Sequence, residues 1–181
     1  MPARSAARTI AETLQRSVLP ETLPSLEGAT VAARYLPGTA AMDVGGDWFD
    51  TILLDDGRIA FAVGDVVGKG VDAAATMAQL RNGMRALTLD SSDPSTIVSK
   101  LNRLLDGYTD APFATLALVA VDPKTLETTM ISAGHLPPLV LAPGRAPRLL
   151  DGGRGLPLGV DPAASYEPRS TTLEPGSVIV L

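Results

Sequence analysis

The chain has 181 residues and no cysteine. A disulfide framework, a thiolate metal site and a cysteine nucleophile are therefore excluded. Histidine occurs once, at His135, which rules out an H-E-x-x-H zinc site and any mechanism that needs paired histidines. Long apolar runs are also missing: the most apolar stretch, residues 113–121, is about half of what a membrane helix requires. Met1 to Pro20 lacks the apolar core of a signal peptide. The Arg4, Arg8 and Arg16 spacing has a transit-peptide character, but Glu12 and a helical periodicity favour a structural helix. On this reading the chain is cytoplasmic and does not insert into membranes. Basic charge is in deficit, with 15 Lys and Arg against 20 Asp and Glu and a net charge of −5, which argues against a nucleic-acid surface.

What is present is enough for a folded domain. The composition is 45% hydrophobic and 19% charged, so a core can form and disorder is not expected. Ala3, Ala7, Ile10, Leu14 and Ser17 repeat at steps of four and three, the stripe of one helix, which Pro20 and Pro24 terminate. Strand-like segments follow at Thr30 to Tyr35, Trp48 to Leu54 and Arg58 to Val63, the last two joined by the hairpin signal Asp55-Asp56-Gly57. Two helices come next. One has the stripe Ala73, Met77, Leu80, Met84, Leu87; the other opens at Asp93-Pro94 and carries Ile97, Leu101, Leu104 and Tyr108. Further strands are predicted at Ala114 to Val121, Glu127 to Ser132, Leu139 to Ala142 and Ser177 to Leu181, the last as a buried strand. Strands, then two consecutive helices, then strands describe an α+β fold rather than alternating βαβ units. The final strand pattern runs to the last residue, which reads as a piece of a longer protein.

Two acidic clusters flank the predicted hairpin: Gly45-Gly46-Asp47-Trp48-Phe49-Asp50 and Gly64-Asp65-Val66-Val67-Gly68-Lys69-Gly70. Crowded carboxylates raise one another's pKa, so their collection at adjoining strand ends calls for a neutralising cation. The second cluster is one residue short of a P-loop and has Gly70 where a magnesium-binding Ser or Thr must stand. Gly153-Arg154-Gly155 through Gly159 fails dinucleotide-loop spacing and has Pro157 where a helix should start. Gly45-Gly46-Asp47 has a cyclase-like look, but Trp48 replaces the acidic residue required. What remains is the carboxylate pair. Asp65 ends an apolar strand and Asp47 opens its hairpin partner, while Gly68 and Gly70 permit positive φ and close ligand approach. Oxygen-only ligands select magnesium or manganese over zinc. Asp55, Asp56 and Asp72 are read as turn or helix-start residues.

At these residues the chain resembles the SpoIIE/RsbU branch of the PPM (protein phosphatase 2C-like) serine/threonine phosphatases. The resemblance also rests on Leu101-Asn102, Phe113-Ala114-Thr115-Leu116, Ser132-Ala133-Gly134-His135-Leu136-Pro137-Pro138, Gly155-Leu156-Pro157-Leu158-Gly159 and the helix end Leu14 to Pro20. It implies a four-layer α-β-β-α sandwich lacking its C-terminal strands, with residues 1–20 as a linker helix and 21–181 as the phosphatase domain, incomplete at its C-terminus. It further implies that Asp47 and Asp65 are the catalytic metal ligands, joined by the Val66 backbone carbonyl. Gly46, Asp50, Gly68 and Gly70 are read as supporting residues, and His135, in the family's Ala-Gly-His loop, either as a further one or as a buried, hydrogen-bonded histidine. Two Mn2+ or Mg2+ ions are implied in the complete domain. The implied substrate is phosphoserine or phosphothreonine on a STAS-type anti-sigma-factor antagonist, in stress or developmental partner switching. An upstream sensor would act through the N-terminal helix, and a homodimer is left open.

In that family a Thr-Asp-Gly segment and a later aspartate complete the metal site, beyond the position of Leu181. Weak metal binding and little activity are therefore expected of these 181 residues alone. The alternative is a non-catalytic module that docks the same partner, inactive for lack of those ligands.

Overall fold

The computed structural model describes residues 19–20, 22–26, 28–36, 45–108, 111 and 113–181. The helix expected over residues 1–20 lies almost wholly outside them. Strands β1 (Gly46–Leu53) and β2 (Ile59–Val66) lead into helices α1 (Val71–Asp90) and α2 (Pro94–Tyr108). They are followed by β3 (Ala114–Val121), β4 (Glu127–Ala133), β5 (Leu139–Leu141), β6 (Arg148–Leu149), β7 (Arg154–Gly155), β8 (Arg169–Thr172) and β9 (Val178–Val180). The chain is α+β, as the order of its elements predicts.

The larger sheet runs β1-β2-β3-β4-β7, with β8 also paired to β4; the smaller runs β6-β5-β9. β1, β2, β3 and β4 are successive antiparallel neighbours, a meander that short turns allow. Asp55-Asp56-Gly57 forms the first turn as predicted, with Gly57 at φ 85° and Asp56 accepting from the Arg58 backbone N–H and side chain at 3.0 and 2.8 Å.

Alternation along the strands sorts residues between two cores. Trp48, Ala60, Ala62, Val66, Ala114, Leu116, Leu118 and Ile131 pack against Met77, Leu80, Met84, Ile97 and Leu101 of the helices. On the opposite face, Val119 and Met130 meet Val140, Leu150, Leu173 and Ile179 between the two sheets. The described residues thus supply three layers, helices on sheet on sheet; no fourth, helical layer is among them.

Both helices obey their signals. The predicted α1 stripe is buried from Ala73 to Met84, with Leu87 half-buried. α2 is capped by Asp93, whose carboxylate accepts from the backbone N–H groups of Ser95 and Thr96 at 3.3 and 3.0 Å. Asn102, fully buried, ties α2 to the distant loop 157–161: its amide donates to the Asp161 carbonyl at 2.7 Å and its Oδ1 accepts from the Gly159 N–H at 2.8 Å. Among the described residues no helix is long and apolar enough to cross a membrane.

Two strand expectations are corrected. Residues 30–36 form no strand and carry only an adjoining Leu26–Ala29 bridge; β-propensity makes a strand only where another strand supplies the ladder. The β-branched run at the end of the chain does form β9, but not as a buried strand. Val178 and Val180 are about half exposed and only Ile179 points into the core, because an outer strand of a small sheet buries one face, whatever its composition. The short strands β6, β7 and β8 carry no predictive periodicity and were not expected.

Candidate functional site

The hairpin register sets Asp47 directly opposite Asp65, and the next ladder sets Asp65 opposite Thr115. Directly paired residues share a face, so three adjacent strands present Asp47, Asp65 and Thr115 in one transverse row. A fourth group completes it. The Nδ1 of His135, in the loop after β4, lies 2.8 Å from the Thr115 hydroxyl, and the His135 carbonyl accepts from the Ser132 hydroxyl at 2.7 Å. The row occupies the face turned away from α1 and α2, at the end of the hairpin remote from its turn.

The backbone around the row is shaped by glycines. A Cβ at Gly46 would run into the carbonyl oxygen and side chain of Val66, and one at Gly64 would run into the ring of Trp48. The indole of Trp48 therefore lies flush under the β2 backbone immediately before Asp65. Gly68 and Gly70 have φ of 119° and 85°, the left-handed range foreseen for them. Gly70 is the N-cap of α1, and its carbonyl accepts from the Ala74 N–H at 3.1 Å. It therefore starts the helix that follows the acidic strand.

The electrostatics are those of two carboxyl groups set close together. Burial, the charge of Asp47 and a hydrogen bond with the Asp47 carboxyl all push the Asp65 pKa above its usual value. Burial, with the charges of both aspartates, likewise raises the Tyr35 phenol. His135 is shifted downward by burial, against an upward pull from Asp47, so the imidazole is neutral at pH 7.

Not every predicted residue joins the row. Asp50 lies three positions from Asp47, on the opposite face of β1, and is buried against α1. Its carboxylate meets Arg85 at 2.6 Å through both Nε and Nη2, and Arg81 Nε at 3.1 Å. The carbonyl of Val66 lies against Gly46, while its side chain is in the helix-side core. Thr115 and Tyr35 were not singled out from sequence. Thr115 stands in an apolar strand run, and Tyr35 lies in a segment without a charged motif of its own.

Two facing carboxylates, uncomfortable without a proton or a cation, with oxygen-only chemistry, fit a hard divalent ion. Among the described residues no group of three or more His, Cys, Asp or Glu is assembled for a metal.

Residues 55–181 match the family model of Stage II sporulation protein E (SpoIIE). The chain is 29% identical over 173 residues to phosphoserine phosphatase RsbU of Bacillus subtilis (strain 168); the match covers 95% of this chain and 50% of RsbU, so the chain spans half the length of that relative. Among solved structures, the RsbU and RsbW domains of Rv1364c from Mycobacterium tuberculosis are similar with a TM-score of 0.68 and 33% identity, over 75% of this chain and 37% of that one. The SiaA-PP2C domain of Pseudomonas aeruginosa shares the fold with a TM-score of 0.69 at 21% identity, over 97% of this chain and 72% of that one. RsbX, solved in complex with magnesium, shares it with a TM-score of 0.58 at 22% identity, over 74% of this chain and 63% of that one.

Proposed function

The chain belongs to the SpoIIE family, and from that premise we propose that it carries the catalytic core of a metal-dependent serine/threonine protein phosphatase. The observation that supports this most directly is the opposition of Asp47 and Asp65 on neighbouring strands. Asp47 and Asp65 would hold Mn2+ or Mg2+; the Val66 carbonyl, which lies against Gly46 and outside the row, is assigned as a further oxygen only by the family resemblance. When bound, such ions lower the pKa of a coordinated water and neutralise phosphoryl oxygens. Thr115 and the neutral His135 extend the row on the same face; one proton is held in the bond between them, and the other, on the Thr115 hydroxyl or the His135 Nε2 according to the tautomer, is left to donate to a phosphoryl group. With no cysteine in the chain and no need for a covalent intermediate, direct attack by water is the economical route. The substrate we assign is a phosphoserine or phosphothreonine on a STAS-type anti-sigma antagonist, a reading supported by the similarity to RsbU and by the motifs named above.

The test is hydrolysis of a phosphorylated STAS-domain protein by the intact protein in Mn2+. Asp47→Asn and Asp65→Asn should each lower kcat/KM by more than about 100-fold, the upper end for losing only an outer-shell support of a metal ligand, and EDTA should abolish turnover. Co-precipitation of the phosphorylated partner should persist in both variants. Undiminished turnover by Asp47→Asn, or turnover in EDTA, would overturn the assignment.

A further inference from the structure

Asp50 is a buried carboxylate that the proposed chemistry does not use. Its side chain has no exposed surface and accepts from three directions. Arg85 grips it through Nε and Nη2, each at 2.6 Å. Arg81 approaches both oxygens, with Nε at 3.1 Å and Nη2 at 3.3 Å. The Thr51 backbone N–H donates at 2.8 Å. Both arginines project from α1, whose N-cap Gly70 is separated from Asp65 by four residues. The connections therefore form a closed circuit. From Asp65 the chain passes through the glycine loop into α1, across the arginines to Asp50, and three residues back along β1 to Asp47.

In the described sheet β1 is an outer strand, hydrogen-bonded to β2 alone. Among the described elements, α1 is what packs against it besides β2. A bidentate guanidinium–carboxylate pair fixes distance and angle together, which a greasy contact does not. Metal ligands tolerate displacements of only about 0.5 Å.

We infer that Asp50, clamped by Arg85 and Arg81, is a positioning residue that braces β1 against α1 and so holds the Asp47 carboxylate opposite Asp65 for the ion. This rests on the metal-binding reading of that pair. Arg85 is the natural place to test it, because its side chain is 45% exposed and can be changed without leaving a buried cavity.

The single tryptophan, Trp48, adjoins Asp47 and packs beneath Gly64, so quenching of its fluorescence by Mn2+ reports the site without any turnover. The intact protein is titrated as wild type, Arg85→Gln, Arg85→Lys and Asp47→Asn. An Asp93→Ala variant, which loses the α2 cap away from the pair, serves as a control for general destabilisation. Arg85→Gln should weaken Mn2+ binding about 10-fold, the scale for a lost outer-shell support. Arg85→Lys should fall between it and wild type, and Asp93→Ala should bind as wild type does. Equal binding by Arg85→Gln and wild type overturns the inference, as does equal weakening by Asp93→Ala. If Arg85→Gln does not fold, the same criteria apply to Arg85→Lys. No Mn2+ response in the wild type, or an unchanged one in Asp47→Asn, would instead sink the metal reading itself and this inference with it.

Discussion

Replacing Asp65 by Asn should stabilise the metal-free protein, although it removes a residue assigned to catalysis. Asp47 and Asp65 are direct cross-strand partners, which puts their Cβ atoms roughly 5 Å apart. Two unit charges at that separation repel by about 1 kcal/mol in water and about 3 kcal/mol at an effective dielectric of about 20. Asp65 is partly desolvated, but both residues keep more than a third of their surface in water, so screening selects the lower figure, about 1 kcal/mol. For a protein of this length that corresponds to roughly 2–4 °C in Tm.

The pH dependence follows from the upward direction of the Asp65 shift. A carboxyl raised in the folded state favours folding fully below its ordinary 3.8, and that contribution is lost as pH rises through the folded value. At pH 7 in EDTA the wild type therefore carries the full repulsion, and Asp65→Asn does not. Below pH 3.8 the carboxyl is neutral in both folded and unfolded wild type, and the difference should close. Mn2+ should reverse the order at pH 7, since a ligand that binds only the folded state stabilises the protein that binds it. Urea unfolding of both proteins, in EDTA and in Mn2+ at the two pH values, measures all of this. A variant less stable than wild type in EDTA at pH 7, or a gain that persists in acid, would refute the account of the pair as crowded and uncompensated.

Two further outcomes probe the supports of the site. Gly64→Ala forces a methyl group into the Trp48 ring and should cost about 1–3 kcal/mol by overpacking, with a shift in the indole emission. Unchanged stability and emission would show that the ring does not rest on that glycine. Asn102→Ala leaves the Gly159 N–H and the Asp161 carbonyl without their partner and should cost about 1–3 kcal/mol in denaturant unfolding. A loss under about 0.5 kcal/mol, the range of ordinary surface changes, would mean water replaces the amide there.

Much of this could be read along the chain because the determining interactions are local. The Asp55-Asp56-Gly57 turn sets the hairpin, and the hairpin register brings Asp47 to Asp65. The Asp93-Pro94 cap and the Ala73 to Met84 stripe locate two helices from contacts within a few residues. Strands that depend on distant partners were less legible. Thr30 to Tyr35 has strand composition without a ladder, and β8 has a ladder with β4 but no telling composition. Asp50 shows the same limit within the site. Its odd spacing from Asp47 implies the opposite face, but nothing near it in sequence names Arg81 or Arg85 as what waits there. Thr115 and His135 join the row through pairings across 50 residues and more from Asp65.

The sequence by itself determined the class of chemistry. The absent cysteine, the single histidine and the glycine-flanked aspartates leave a hard-metal, phosphate-directed reading, and the ordered motifs point to one family. Tertiary structure alone decided which groups lie together. Strand pairing aligned Asp47, Asp65, Thr115 and His135 on one face, and helix packing drew Asp50 away to the other. The physical reason is that residue types and short-range turns dictate what a segment can do. Burial and register bring together groups far apart in the chain, and only the folded chain supplies them.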